Sequence, residues 1–352
     1  MGSRWASYSA PVTHELSPEA VAAVDQLLAV LAPTHNRRLA KDLIRSAAGL
    51  IADQPATLDL KIATSALIEM REAFEMFSPY RGRRKVTIFG SARTTLDDPL
   101  YTQAKEVARH LSENDWMVIT GAGPGIMQAA MEGAGREQSI GVSIRLPFED
   151  GANPVIAGDA KYVSMKYFFT RKLMLIKESS AFVCLPGGFG TLDEMFELLT
   201  LTQTGKGVPV PIVLLDTPGD QYWEAVTELV DTHLVARGLV AANDTGLYTI
   251  ADTCEAALDE INRFYANYDS LRYVGDLLVI RLKQSPTDAQ LAALNEEFSH
   301  LITTGEIVRV DPLPLEVKEN DRVSYPRIAL EFSKHRYGDL RRMIDTLNSY
   351  VP

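Results

Sequence analysis

Three times between residues 85 and 191, a short apolar run ends in glycine and gives way to a stretch patterned as helix. The runs are 85–89, followed by Gly90-Ser91; 116–120, followed by Gly121, Gly123 and Gly125; and 181–185, followed by Pro186, Gly187, Gly188 and Gly190. Runs this short suit strands better than helices, and their nearly continuous apolar character suits strands covered on both faces. Similar runs at 139–144, 210–215 and 247–250 alternate with helical stretches. That alternation predicts an α/β fold built on a doubly wound parallel sheet. Ligands of such sheets bind beyond the carboxyl ends of the strands, where these glycines fall.

The flanks have a different texture. Residues 15–78 read as three helices, the first opened by Ser17-Pro18-Glu19 and the last closed by Ser78-Pro79. Beyond 267 the pattern predicts a strand at 273–282, a helix at 286–302, strands at 306–310 and 327–332, and a helix at 338–350. That order is compatible with a small α+β module resembling half of a ferredoxin-like domain. We therefore expect an N-terminal helical extension (1–80), a central α/β domain (81–266) and a C-terminal α+β accessory module (267–352).

Charge and composition narrow the function. The 352 residues carry a net charge of −11, which argues against broad nucleic-acid binding while leaving room for a local basic pocket. Two cysteines, Cys184 and Cys254, supply neither a disulfide framework nor a metal cluster, and their apolar or helical surroundings predict buried thiols. No apolar run approaches the ~18 residues of a membrane span. The N-terminus lacks the order of a signal peptide, and Met1-Gly2-Ser3 is not followed by Ser or Thr at Ala6, as a myristoylation motif requires. The expectation is a cytoplasmic protein without metal or cofactor.

The glycine junctions have competing explanations. Gly121, Gly123 and Gly125 form G-x-G-x-G rather than the dinucleotide fingerprint, and Ile144 is followed by Arg145 where an acid would hold the NAD ribose. NAD is disfavoured; a tight turn and a phosphate or ribose contact both remain open. Thr191 and Glu194 have capping-box spacing, but a cap does not explain Gly187, Gly188 and Gly190, whose exposed amides suit a phosphate. Glu194 and Glu197 share a helical face three residues apart, with Leu198 and Leu201 on the buried side. Two acids beside a phosphate cradle make sense if positive charge develops there, as on a ribose losing its base. Arg171 and Lys172 fall early in a helix over 168–179, whose inward face would carry Leu173, Ile176 and Ser180. Taken alone, they read as a solvated basic pair.

The combination of Arg171-Lys172 with "CLPGGFGTLDE" resembles the LOG family, once labelled lysine decarboxylases. Its P-G-G-x-G-T-x-x-E motif is met in full at Pro186, Gly187, Gly188, Gly190, Thr191 and Glu194, and the likeness extends to "FGSAR" at 89–93, "TGAGPGIMQAA" at 120–130 and "ELLTLTQTGK" at 197–206. The resemblance implies a Rossmann-like fold, usually dimeric or larger, with sites completed by a neighbouring subunit. It implies hydrolysis of nucleoside 5′-monophosphates, including cytokinin riboside monophosphates, to free base and ribose 5-phosphate. It maps catalysis to Arg171 and Glu194, and substrate binding to Gly90, Ser91, Gly121, Gly123, Gly125, Met165, Lys172, Gly187, Gly188, Gly190, Thr191 and Glu197. Short plant-type members carry His-Glu where this chain has Phe169-Thr170, so base preference does not carry over. The alternative is a non-catalytic nucleotide or molybdenum-cofactor carrier using the same cradle. A pyridoxal decarboxylase using Lys172 or Lys177 lacks a visible partner set for the cofactor ring.

Overall fold

The computed structural model describes residues 16–33, 35–146 and 151–351, and the N-terminal residues 1–6 weighed against a myristoylation motif lie outside them. The chain divides into two compact units, 1–71 and 72–352. In the first, the Ser17 side chain accepts the Ala20 N–H and Pro18 occupies the first position of α1 (Pro18–Leu31). In α2 (Arg37–Ala52), Lys41 pairs with Asp25 of α1 at 2.5 Å. Helix α3 (Thr57–Phe77) begins in the first unit and ends in the second, where Ser78-Pro79-Tyr80 turns the chain into a 3-10 segment. Among the described residues, no helix is long and apolar enough to cross a membrane.

The second unit opens on β1 (Lys85–Phe89), α4 (Pro99–Glu113), β2 (Met117–Thr120), α5 (Ile126–Ala134), β3 (Ser139–Ile144) and β4 (Tyr162–Met165). It continues through α6 (Phe168–Lys177), β5 (Ala181–Cys184), α7 (Phe189–Gln203), β6 (Ile212–Leu215), α8 (Tyr222–Leu229), β7 (Thr249–Ala251) and α9 (Cys254–Phe264). The seven strands form one parallel sheet in the order β4-β3-β2-β1-β5-β6-β7. Every residue of β1, β2, β5 and β6 is buried, as their apolar runs predict. Alternation along β1 places Val86 and Ile88 in a core shared with α4 and α5, while the Thr87 hydroxyl on the other face donates to the Leu175 carbonyl of α6 at 3.0 Å. The sheet is therefore wound on both faces, as expected. Strand order reverses between β1 and β5, which opens a crevice at their carboxyl ends.

Strand β4 escaped the sequence reading. It lies at the sheet edge with Val163 and Met165 buried and Tyr162 and Ser164 half-exposed, so it alternates instead of forming an apolar run. The region after 267 also differs. The single strand expected over 273–282 is a hairpin, β8 (Tyr268–Val274) and β9 (Leu277–Leu282), turned at Gly275 with φ of 64°. Then come α10 (Asp288–Glu297), β10 (Val308–Arg309), α11 (Pro314–Glu319), β11 (Arg327–Glu331) and α12 (Tyr337–Asn348). The expected β-α-β-β-α order is corrected to an antiparallel sheet ordered β10-β11-β9-β8 with three helices. One hydrophobic core runs from Val86 and Val183 of the parallel sheet to Leu278 and Ile280 of the antiparallel one. The Asn348 side chain fastens the junction: it accepts the N–H groups of Asn267 and Tyr268 and donates to the Phe264 carbonyl.

A buried ionic cluster holds α11 to the antiparallel sheet. Glu316 is fully buried; Oε1 accepts from Arg281 at 2.6 and 3.0 Å, and Oε2 lies 2.8 Å from Arg327. Burial pushes the Glu316 carboxyl up, but the Leu313 N–H and the two guanidiniums outweigh it and hold it below the ordinary range. Stability from this ionised group is present above the unfolded carboxylate value and lost as pH falls through the folded one. Glu316→Ala is expected to cost about 3–5 kcal/mol, because Arg327 stays buried without its carboxylate and Arg281 keeps only Asp321. Urea denaturation checks this: the variant's midpoint should fall sharply at neutral pH, and the difference should shrink on acidification. An unchanged midpoint would show the cluster to be energetically neutral.

Candidate active site

Three of the glycine junctions meet in the crevice, laced by backbone hydrogen bonds. Leu185 N–H donates to Phe89 at 2.9 Å, Ser91 N–H to Pro186 at 3.3 Å, and Ile126 N–H to Ser91 at 3.0 Å. Glycine is needed at the crossing points for packing. At Gly125, with φ of 66°, a β-carbon would stand 2.4 Å from the Ser91 carbonyl oxygen; at Gly187 it would stand 2.2 Å from Thr191 Oγ1. At Gly188 and Gly190 it would meet nothing within 4 Å, and both residues line a cavity of about 700 Å3. Close packing therefore explains Gly125 and Gly187 but leaves Gly188 and Gly190 unexplained.

Helix α7 starts in this loop. Gly188 is its N-cap, and no side chain caps it, so its first-turn amides lack acceptors within the helix. The capping-box reading of Thr191 and Glu194 is thereby corrected: Thr191 sits inside the first turn and Glu194 turns toward α6. The amide end of a 15-residue helix facing a cavity favours negative charge through its unpaired N–H groups and its dipole.

Arg171 is not solvated. It is 8% exposed; Nε donates to the Val142 carbonyl of β3 at 3.1 Å and Nη1 to Glu194 Oε1 at 2.9 Å. Its Nη2 would lie 2.4 Å from a β-carbon at Gly121, so that glycine makes room for the guanidinium. The inward face of α6 carries Thr170, Arg171, Met174 and Leu175 in place of the expected Leu173, Ile176 and Ser180, and Leu173 is exposed. Burial pushes the Glu194 carboxyl above the ordinary range, against the pull of Arg171.

Lys172 points elsewhere, to Asp193 at 3.0 Å and Glu197 at 2.5 Å. The two acids expected to act together are thus divided between two cations: Glu194 with Arg171 at the cavity, and Glu197 with Lys172 away from it. The cavity wall includes the predicted Gly90, Ser91, Arg171, Gly187, Gly188, Gly190, Thr191 and Glu194. Gly121, Gly123, Gly125, Met165, Lys172 and Glu197 lie outside that wall; Gly121 and Gly123 instead pack against Arg171 and Met127, and Met165 is fully buried at the end of β4. Cys184 and Cys254 are buried free thiols, as expected, and burial pushes Cys254 up to about 12.

Six further wall residues were not among the predicted ones: Ala92, Arg93, Met127, Phe189, Leu192 and Tyr222. Tyr222 braces the loop, its hydroxyl donating to the Gly187 carbonyl at 2.6 Å. Arg93 is exposed on the rim and has no ion-pair partner among the described residues. Its place directly after Gly90-Ser91 was a usable signal. Nothing local marks Tyr222, which follows β6 and reaches the loop only through the fold.

Residues 125–261 match the family model described as "Possible lysine decarboxylase". A rice protein (Oryza sativa subsp. japonica) named probable cytokinin riboside 5′-monophosphate phosphoribohydrolase LOGL3 is 27% identical over 208 residues, covering 57% of this chain and 93% of its own. The rice cytokinin riboside 5′-monophosphate phosphoribohydrolase LOG is 27% identical over 172 residues, covering 47% of this chain and 67% of its own. Among solved structures, the molybdenum cofactor carrier protein of Chlamydomonas reinhardtii aligns with a TM-score of 0.36 at 19% identity, over 51% of this chain and 97% of its own. The glycine loop at 186–191 lies within the residues 125–261 that match this family model, and the chain is similar to the rice LOG proteins.

Proposed function

We propose that the cavity binds a nucleoside 5′-monophosphate and hydrolyses its N-glycosidic bond, giving free base and ribose 5-phosphate. The observation that carries this reading is the open amide end of α7 at Gly188 and Gly190, set beside the buried Arg171–Glu194 pair. The 5′-phosphate would sit on those amides with Arg93 as its unpaired counter-charge on the rim. Binding energy from the phosphate then orients the ribose toward Glu194. Glu194 would hold the ribose hydroxyls and stabilise the positive charge that grows at C1′ in an oxocarbenium-like transition state. Water oxygen bonds to C1′, the C1′–N bond breaks, and the departing base takes up the proton the water loses. Arg171 opposes the upward push of burial on the Glu194 carboxyl, so it is assigned as the group that poises the carboxylate. The names of the plant relatives favour cytokinin riboside monophosphates as one substrate class. Phe168, Phe169, Leu173 and Phe189, exposed on α6 and at the cavity mouth, support assembly as a homodimer or larger.

Chromatography of incubations with AMP, GMP, CMP, UMP, IMP and isopentenyl-AMP tests the activity. Release of base with equimolar ribose 5-phosphate from one or more is expected; binding without release from any would favour a carrier. Glu194→Gln keeps the size and removes the charge, and should lower kcat by about 100-fold or more. In the wild type, kcat/KM should fall on acidification with a midpoint above the ordinary carboxylate range, because burial raises the Glu194 carboxyl. That limb should vanish in the variant. A limb that persists unchanged in Glu194→Gln would assign it to another group.

A further inference from the structure

A second cavity, of about 450 Å3, lies at the opposite end of the parallel sheet. It sits where the chain enters β1, β5 and β6 and where β8 of the antiparallel sheet passes. Its wall carries four arginines, Arg81, Arg83, Arg84 and Arg322, and one carboxylate, Asp269. Such a concentration of positive charge is unexpected in a chain of net charge −11.

Two of the arginines are committed: Arg83 to Asp115 at 2.6 Å and Arg322 to Asp269 at 2.5 Å. Arg81 and Arg84 have no ion-pair partner among the described residues. Arg84 is nevertheless held in place. Its guanidinium lies 3.8 Å from the centroid of Tyr265 and 5.7 Å from that of Trp116, and Tyr265 is itself fixed by donating to the Ser180 carbonyl at 2.6 Å. Stacking engages the face of a guanidinium and leaves its in-plane N–H donors free. Lys283 shows that the corner is rich in cations, since burial and then the charge of Arg84 hold its ammonium below the usual range.

The opposite wall is preorganised as well. Arg322 has φ of 51°, a left-handed conformation uncommon for a side-chain-bearing residue, and its carbonyl accepts from Arg327 at 2.7 Å. Its neighbour Asp321 is gripped by Arg281 at 2.6 Å. The volume falls within the range of small-ligand sites.

We propose that this pocket is a second anion site, which takes a polyphosphate or phosphate ester through Arg81, Arg84 and Arg322, apart from the cavity at α7. A forked, unneutralised guanidinium flanked by Arg81 and by Arg322, whose charge is shared with Asp269, suits several phosphate oxygens better than a single carboxylate.

Calorimetric titration of the full chain with inorganic pyrophosphate tests the proposal. Arg84→Gln should weaken the binding by about tenfold or more, the loss of one charge-assisted partner. Arg81→Gln, at an exposed residue without an ion-pair partner among the described residues, should do the same with an unchanged thermal melt, which separates loss of binding from loss of fold. Arg84→Lys should be intermediate, keeping the charge without the fork. Equal pyrophosphate affinity in wild type and in both glutamine variants would overturn the proposal. So would pyrophosphate binding that AMP displaces fully and the glutamine variants leave intact, because it would then belong to the α7 cavity.

Discussion

The guanidinium of Arg171 is wedged among three elements. It donates to the Val142 carbonyl at the end of β3, lies against Gly121 after β2, and pairs with Glu194 on α7. A charge buried this deeply would be costly alone, and the carboxylate opposite it would be costlier still. Each is tolerable because of the other. The pair consequently fastens α6 to α7, requires glycine at 121, and sets the Arg171 charge against the burial that raises the Glu194 carboxyl.

The rest of the site follows from how the glycine loops are tied. Backbone bonds between the β1, β2 and β5 loops leave little freedom at Ser91 or Pro186, and the Tyr222 hydroxyl pins the Gly187 carbonyl from α8. Within that scaffold Gly188 and Gly190 face open space at the start of α7, where the first-turn amides are uncapped. Positive partial charge from the helix end and negative charge from Glu194 thus lie on adjoining parts of one wall. A ligand that is anionic at one end and becomes cationic at the other uses both. The second charge pair, Lys172 with Asp193 and Glu197, clasps the same two helices outside the cavity, and among the described residues Glu194 is the one carboxylate on the cavity wall.

Sequence pattern revealed the parallel sheet because β1, β2, β5 and β6 are buried on both faces and must be apolar throughout. It failed at β4, buried on one face, and at the β8–β9 hairpin, where the polar residues Asp269, Ser270 and Arg272 disguise the first strand. At the site, the glycine motif was readable from local order, whereas Arg171 taken alone read as solvated and entered the site only through the family resemblance. The orientation of α6 was not readable: periodicity favoured Leu173 facing inward, whereas the ion pair with Glu194 turns Arg171 to that side. Tyr222 and the division of Glu194 from Glu197 depend on contacts between elements distant in sequence, and no local spacing encodes them. The arginines of the second cavity were hidden for the same reason, since 81–84 and 322 meet only once the antiparallel sheet has packed beside the parallel one.

The central claim is that the amide end of α7 captures a 5′-phosphate and thereby presents C1′ to Glu194. The most direct test compares a nucleoside 5′-monophosphate that the protein hydrolyses with the nucleoside that lacks the phosphate, by base release under identical conditions. The account predicts that removing the phosphate lowers kcat/KM by about 1,000-fold or more, with much of the loss in kcat, because the anchoring energy is used to position the ribose. Comparable turnover of the free nucleoside would contradict it and would remove the glycine loop from the recognition of substrate.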